Sequence, residues 1–278
     1  MFDIDKWQEI LATIKKNKMR TFLTGFSVAW GIFMLMILLG SGNGLSNGVS
    51  ENFTRDAINA MWLWSGKTSI PYQGMKEGRE IKLTNDDYDI VKDIPGIDKT
   101  SGRYFIRGNM FSYGNEYGSY TAITCHPDLK EVESIEIVEG RFVNEIDIKE
   151  ARKSVVLGKD IYDALFKGEN ALGEYIRVNN IPFKVVGICK EGGGTRHRNA
   201  YIPVTTGQKV FNGSNRLHNF AVTVDAKTIE ESQEIEKAVR QSLAQKHKFD
   251  STDESALGSY NKLEDVMQTM KIFQAIEI

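Results

Sequence analysis

The sequence predicts an α+β protein with a single N-terminal transmembrane helix followed by a two-lobed extracytoplasmic domain. Three observations predict it. Residues 21–50 are 30 consecutive positions without a charge. Short β-type runs alternate with two capped helices after that stretch. The helix-bearing segments flank a middle region of strand-like texture, so one α+β unit is split by an insertion. The chain has 278 residues, 35 Lys+Arg and 37 Asp+Glu, for a formal net charge of −2. That balance gives no electrostatic case for nucleic acid. A mean hydropathy of −0.33 excludes a polytopic membrane protein but not one uneven segment.

The elements follow in chain order. Over residues 1–20, Ile4, Trp7, Leu11 and Ile14 recur at helical spacing with Ile10 beside them, and Asp5, Lys6, Glu9, Lys15 and Lys16 fill the other faces. This pattern suits a cytoplasmic amphipathic helix in the headgroup plane, or a surface helix packed on protein. Residues 21–43 form the span. Its apolar part, 21–40, holds ten Leu, Ile, Phe or Val in 20 residues, and at 1.5 Å per residue crosses roughly 30 Å of hydrocarbon. Those ten contribute roughly −3 to −6 kcal/mol to insertion. A buried core helix and a signal peptide are the alternatives; a signal h-region runs only about 7–15 residues. Residues 1–20 carry five basic groups and 41–60 only Arg55, which places the N-terminus in the cytoplasm and the main domain outside.

The stretch SGNGLSNGVS, 41–50, ends the helix or lets it bend. Residues 57–65 read as a strand around Met61, Trp62, Leu63 and Trp64. Thr84 to Asp87 is a capping box opening a helix through Ile94, stopped by Pro95-Gly96. Strands are expected at 103–109 and 119–124, joined by a loop over 111–118. Then come a strand at 154–158, a helix at 159–166, and strands at 175–178 and 182–189 paired across Asn179-Asn180. A polar glycine-rich loop covers 191–199 and a strand 200–204. Residues 220–224 form a strand, and Thr228 to Glu231 caps a helix with Ile235, Val239 and Leu243 on one face, running to Lys248. A last helical pattern, 263–278, turns more apolar toward its end.

The expected divisions are therefore 1–20 interfacial helix, 21–43 span, 44–124 first part of the α+β lobe, 125–213 inserted mostly β lobe, 214–258 second part of that lobe, and 259–278 a helix leading into a second membrane helix that the chain lacks.

Several pieces in order resemble the permeases of MacB-type ABC transporters, the MacB/FtsX-like group. They are Trp7 through Arg20 with the span, Gly140-Arg141-Phe142, 154–158, Ala164-Leu165-Phe166, Gly173 to Ile176, Phe183 to Gly187, and Tyr201-Ile202-Pro203. The resemblance implies an inner-membrane permease subunit, or its N-terminal half, with a porter-like periplasmic lobe and an inserted β lobe. It implies a second permease copy as dimer partner and separate cytoplasmic ATPase subunits, because no G-x-x-x-x-G-K-[ST] occurs in the sequence. A periplasmic adaptor and an outer-membrane channel are further candidate partners. The function implied is transmission of ATP-driven motion to the periplasmic domain, for export or extraction of an envelope substrate. The alternative is a single-span receptor or scaffold that binds a ligand or envelope protein without transport.

No catalytic, cofactor-binding or metal residue is expected. His126, His197, His218 and His247 are widely spaced, without an i,i+3 or i,i+4 pair. Gly192-Gly193-Gly194 lacks the Lys-Ser/Thr of a phosphate loop. Arg196-His197-Arg198 reads as a solvated basic tip or a contact point. Tyr104, Phe105, Phe111, Tyr113, Tyr117 and Tyr120 divide between core packing and an exposed binding patch. Cys125 and Cys189 sit in an oxidising space if the orientation holds, and sequence leaves their pairing open.

Overall fold

The computed structural model describes the backbone of residues 17–53, 57–190 and 198–276, and side chains within these except 38–53, 107 and 270–276. The amphipathic segment expected at 1–20 lies mostly outside the described residues, as do Gly192-Gly193-Gly194, Arg196 and His197. Two compact units emerge, Met1–Asn52 and Phe53–Ile278.

The first unit holds helix α1, Lys18–Phe53. It does not stop or break at the glycine-rich 41–50 stretch, where the sequence suggests an end or a bend. Leu45, Val49 and Phe53 recur there every four residues, a helical period that survives the weak propensity of the glycines between them.

The second unit opens with β1 (Ala60–Ser65), β2 (Leu83–Thr84), α2 (Asn85–Lys92) and β3 (Ile97–Tyr113). It returns through β11 (Asn219–Val224), α7 (Ile229–His247) and β12 (Leu257–Asn261). Strand order β12-β1-β11-β3, all antiparallel, with one helix in each half, is the split βαβ arrangement. In β1, Met61 and Leu63 enter one core and Ala60 and Trp62 another, so the strand is buried on both faces and reads as a continuous apolar run. The first core packs Val91 of α2 and Val239 and Leu243 of α7 against Phe220 and Val222. Asp87 ties the two helices. It accepts Thr84 N–H at 2.7 Å and pairs with Lys246 at 2.7 Å and His247 at 2.9 Å. Burial alone would raise the Asp87 carboxyl; the bonds from His247 and Lys246 outweigh it and hold the group below its usual range.

In a plain split unit β3 would turn directly into β11. Here β3 runs on, and β4 (Glu116–Cys125) returns beside it. The 111–118 segment is therefore not a loop. Tyr113 pairs with Glu116 across Gly114-Asn115, and Gly114 has φ +56, the first-position glycine of a two-residue hairpin turn. Between β4 and β11 lie α3 (Leu129–Val132), β5 (Glu136–Gly140), α4 (Glu145–Glu150), β6 (Ser154–Gly158), α5 (Lys159–Phe166), β7 (Tyr175–Val178), β8 (Ile181–Lys190), β9 (Asn199–Pro203), α6 (Val204–Val210) and β10 (Arg216–Leu217). Asn179 and Asn180, at φ 48 and 67, make the expected tight turn between β7 and β8.

The pairings β3-β4-β9-β6-β8-β7-β3 close on themselves, a small barrel filled by side chains. Its core gathers Phe111, Val155, Leu157, Ile176, Phe183 and Ile202, and α5 adds Ile161, Leu165 and Phe166. β3 contributes its second half to this barrel and its first half to the neighbouring sheet.

A third core lies between, with Trp62, Leu129, Phe142, Tyr201 and both Cys125 and Cys189. Burial pushes the Cys125 thiol well up. Beside it Arg103 and Glu133 form an ion pair with side chains 8% and 6% exposed, and Arg103 Nε donates to Asn219 Oδ1 at 2.8 Å. Arg103→Ala leaves a buried carboxylate alone and is expected to cost about 3–5 kcal/mol in urea unfolding, whereas Arg103→Met with Glu133→Leu recovers most of that loss. Equal loss in the single and double variants would contradict this account.

Candidate functional site

Over residues 20–37 helix α1 is apolar around most of its circumference. Its Lys18–Ile37 stretch of 20 residues has mean hydropathy 1.5 and none of it is buried. Phe22, Phe26, Trp30 and Phe33 form a ladder along one face, with ring centroids 6.2, 5.9 and 5.7 Å apart. The described hydroxyl side chains within it, Thr21, Thr24 and Ser27, are satisfied internally. Thr24 Oγ1 donates to Arg20 O at 2.9 Å and Ser27 Oγ to Leu23 O at 2.8 Å. A helix with closed backbone and side-chain hydrogen bonds and no polar face is suited to hydrocarbon, not to water. Its 36 residues reach about 54 Å, more than the roughly 30 Å core of a bilayer.

In the second unit the first strand and the last strand are neighbours. β1 follows α1 in sequence, and β12 leads without a break into α8, Lys262–Ile276. Met61, near the start of β1, pairs with Asn261, the end of β12. Adjacent strands lie about 4.8 Å apart, so the chain enters and leaves this unit side by side.

The exit is fixed by one face of α7. Asn261 Nδ2 donates to Ser232 Oγ at 2.7 Å. Arg240 reaches Leu257 O at 2.5 Å and Ser259 Oγ at 3.1 Å. Ser259 Oγ in turn donates to Glu236 at 2.5 Å. Gln233 Nε2 donates to Glu264 of α8 at 3.1 Å. Ser232, Gln233, Glu236 and Arg240 are spaced along the α7 face that meets β12 and the start of α8. Sequence reading did not find this cluster. Its signal was the polar face of α7, which looks like ordinary solvated surface.

The described residues singled out from the sequence are held mostly by ring stacking and hydrogen bonds. His126 stacks on Tyr88 at 3.8 Å, and its Nδ1 accepts Gly102 N–H at 3.1 Å. His218 stacks on Tyr104 at 4.7 Å, and its Nδ1 accepts Phe105 N–H at 2.9 Å. His247 pairs with Asp87. Among the described residues no group of three His, Cys, Asp or Glu is placed to hold a metal. Of the aromatic group, Phe111 is fully buried, Tyr113 stacks on Phe166 at 4.1 Å, and Tyr120 meets Phe111 edge-on at 5.6 Å. Tyr117, 76% exposed at the hairpin, stands out alone. Arg198 lies 5.6 Å over the Tyr120 ring.

A model of the MacB-like periplasmic core domain family matches residues 21–242. Among curated proteins, the macrolide export ATP-binding/permease protein MacB of Aggregatibacter actinomycetemcomitans is 25% identical over 223 residues, covering 77% of this chain and 33% of that protein. The protein of the same name from Wolinella succinogenes is 27% identical over 222 residues, with 77% and 33% covered. The chain thus spans about a third of the length of these relatives. Among solved structures, the periplasmic region of MacB from Actinobacillus actinomycetemcomitans matches with TM-score 0.65 at 22% identity, covering 81% of this chain and 98% of that one. The extracellular domain of the noncanonic ABC-type transporter YknZ from Gram-positive bacteria matches with TM-score 0.60 at 18% identity, covering 73% and 100%. At these identities the likeness shows the fold.

Two predictions arise from these contacts. Asn261→Ala removes the bond to Ser232 and is expected to lower unfolding stability by about 1–3 kcal/mol; an unchanged urea midpoint would remove the exit cluster from the account. His126 is pushed down to about 4, first by burial and then by the Lys92 charge, partly opposed by the bond that a protonated Nδ1 donates to Gly102 O at 3.3 Å. The unfolded histidine, near 6.5, binds a proton that the folded one refuses. Stability is therefore full above pH 6.5 and falls as the pH drops toward 4, by at most about 3 kcal/mol. Denaturant unfolding against pH should show this slope, and His126→Phe should flatten it between pH 6.5 and 4.

Proposed function

We infer, for a chain that belongs to the family of MacB-like periplasmic core domains, that it is the membrane-anchored N-terminal portion of an ABC transporter permease. α1 is the first transmembrane helix, with its N-terminus in the cytoplasm. The second unit is the periplasmic domain, a porter-like split βαβ lobe with the barrel lobe inserted in it. α8 leads toward a second membrane helix. ATP is used by separate cytoplasmic ATPase subunits, and two permease copies work together on an envelope substrate that is exported or extracted. A periplasmic adaptor or outer-membrane channel completes the assembly. The histidines and cysteines of this domain have no catalytic part in the reading.

The observation that carries the reading is the pairing of Met61 with Asn261. A domain whose two connections leave side by side can be driven by a pair of adjacent membrane helices. Helices moving together displace β1 and β12 as one body. Helices splaying apart load the ladder bond by bond from its Asn261 end. Ser232, Glu236 and Arg240 then relay displacement of β12 into α7 and the first core. Two packed arrangements separated by a few kcal/mol, biased by nucleotide state, are sufficient for such a cycle.

Orientation is tested with Tyr117→Cys, since the native Cys125 and Cys189 are buried. A membrane-impermeant maleimide added to intact cells whose outer membrane has been permeabilised is expected to label it. Labelling only after the inner membrane is broken would overturn the assigned topology. Transmission is tested in the full-length permease assembled with its ATPase in membranes. The distance between spin labels at Tyr117 of two copies is expected to change between the ATP-bound and nucleotide-free states. Identical distance distributions in both states, or monomeric protein throughout, would refute the mechanism.

A further inference from the structure

On an otherwise near-neutral chain, one cavity of about 520 Å³ in the second unit is walled by Arg141, Arg152, Lys153 and Lys184 against a single acid, Asp147. The backbone builds it from three sources. Tyr175 of β7 and Ser154 of β6 both register with Lys184 of β8, so the three sit in a row on one face of the barrel wall. Arg141 follows β5, and its N–H donates to Val186 O of β8 at 2.9 Å. Arg152 and Lys153 form the short link from α4 to β6, pinned where Lys184 N–H donates to Lys153 O at 2.8 Å.

The charges on this wall are unequal in their freedom. Arg141 is held by Asp147, at 2.5 and 3.1 Å, and by Phe142 O at 2.9 Å. Asp147 is fully buried and also accepts Asn144 N–H at 3.1 Å. Arg152 makes one exposed pair with Glu150 at 2.8 Å, worth little in water. Lys153 and Lys184 have no carboxylate partner among the described residues. Ser154 is 3% exposed. Its Oγ closes no hydrogen bond. The Tyr175 ring, 61% exposed, supplies a flat apolar edge beside the cations.

Like charges gathered on one wall repel, and the natural complement is an anion carrying more than one charge and several acceptor oxygens. A single carboxylate leaves most of the wall uncompensated. A phosphate monoester brings close to two negative charges and three oxygens, and its organic part can lie on Tyr175. We propose that this cavity is a binding site for a phosphate monoester, with Lys153 and Lys184 as the charge-bearing contacts, Ser154 as a hydrogen-bonding floor and Arg141 as a fixed donor. The site lies on the barrel and does not depend on the transport reading, so either can fail alone.

The test uses the full 278-residue chain in neutral-detergent micelles at constant ionic strength in chloride. Titration with inorganic phosphate, followed by calorimetry, is expected to show one saturable site. Lys153→Gln with Lys184→Gln should weaken it at least about tenfold. Lys130→Gln with Lys227→Gln, the same charge change elsewhere on the surface, should leave it unchanged. All four lysines are exposed, and an unaltered near-ultraviolet circular dichroism spectrum checks that each variant folds. Competition then separates the sources of the ligand. Displacement of phosphate by glucose 6-phosphate points to a soluble ester, and displacement by dihexanoyl phosphatidic acid to a lipid headgroup. Unsaturable binding, equal affinity in the two double variants, or displacement by neither ester would overturn the proposal.

Discussion

The hydrogen-bonded pair β1–β12 is the constraint on which the second unit depends. Its five register pairs, from Met61–Asn261 to Ser65–Leu257, join the first strand of the unit to its last, so the whole intervening chain is a closed excursion. β12 has little strand propensity of its own, being Leu-Gly-Ser-Tyr-Asn. Neighbours compensate. Leu257 enters the first core, the Tyr260 ring lies tilted against Trp62 with centroids 5.7 Å apart, and the α7 side chains hold its carbonyl and hydroxyl groups.

That excursion has two levels. The split βαβ sheet is the inner one, and the barrel is spliced into its β3 to β11 connection. The long β3 makes the splice rigid. Its first half pairs with β11 and its second half with β4, so a single strand carries the sheet into the barrel with no flexible linker. The Arg103–Glu133 pair and the third core brace the same region. A displacement imposed on β1 and β12 would therefore meet a continuous path of packed strands.

Much of this was legible in the sequence, where the signal is local. The Thr84 capping box and the Thr228 N-cap mark α2 and α7 because such caps satisfy N–H groups within a few residues; Glu231 does not close a box at Thr228 but accepts Lys227 N–H at 2.7 Å. The helix at 159–166 and the Asn-Asn turn appear as read. The uncharged run marks α1 because twenty mostly apolar residues at helical rise match the thickness of a bilayer core. The misses are non-local. Residues 111–118, rich in Gly, Asn and Tyr, look like a loop until Tyr113 and Glu116 find each other across Gly114-Asn115. β12 exists because of β1, some 200 residues earlier. The α7 exit cluster and the basic cavity could not be read at all. Each gathers residues from separate segments, such as Arg141, Lys153 and Lys184, that only strand register brings together.

The side-by-side termini carry an evolutionary corollary. Packed helices sit about 8–10 Å apart, and a module whose ends differ by one strand spacing can be spliced between two of them without prying them open. Such a module is interchangeable: its interior and its inserted barrel are free to diverge, provided the two flanking strands keep their register. Sequence drift should then concentrate in the excursion and spare the hem where it begins and ends.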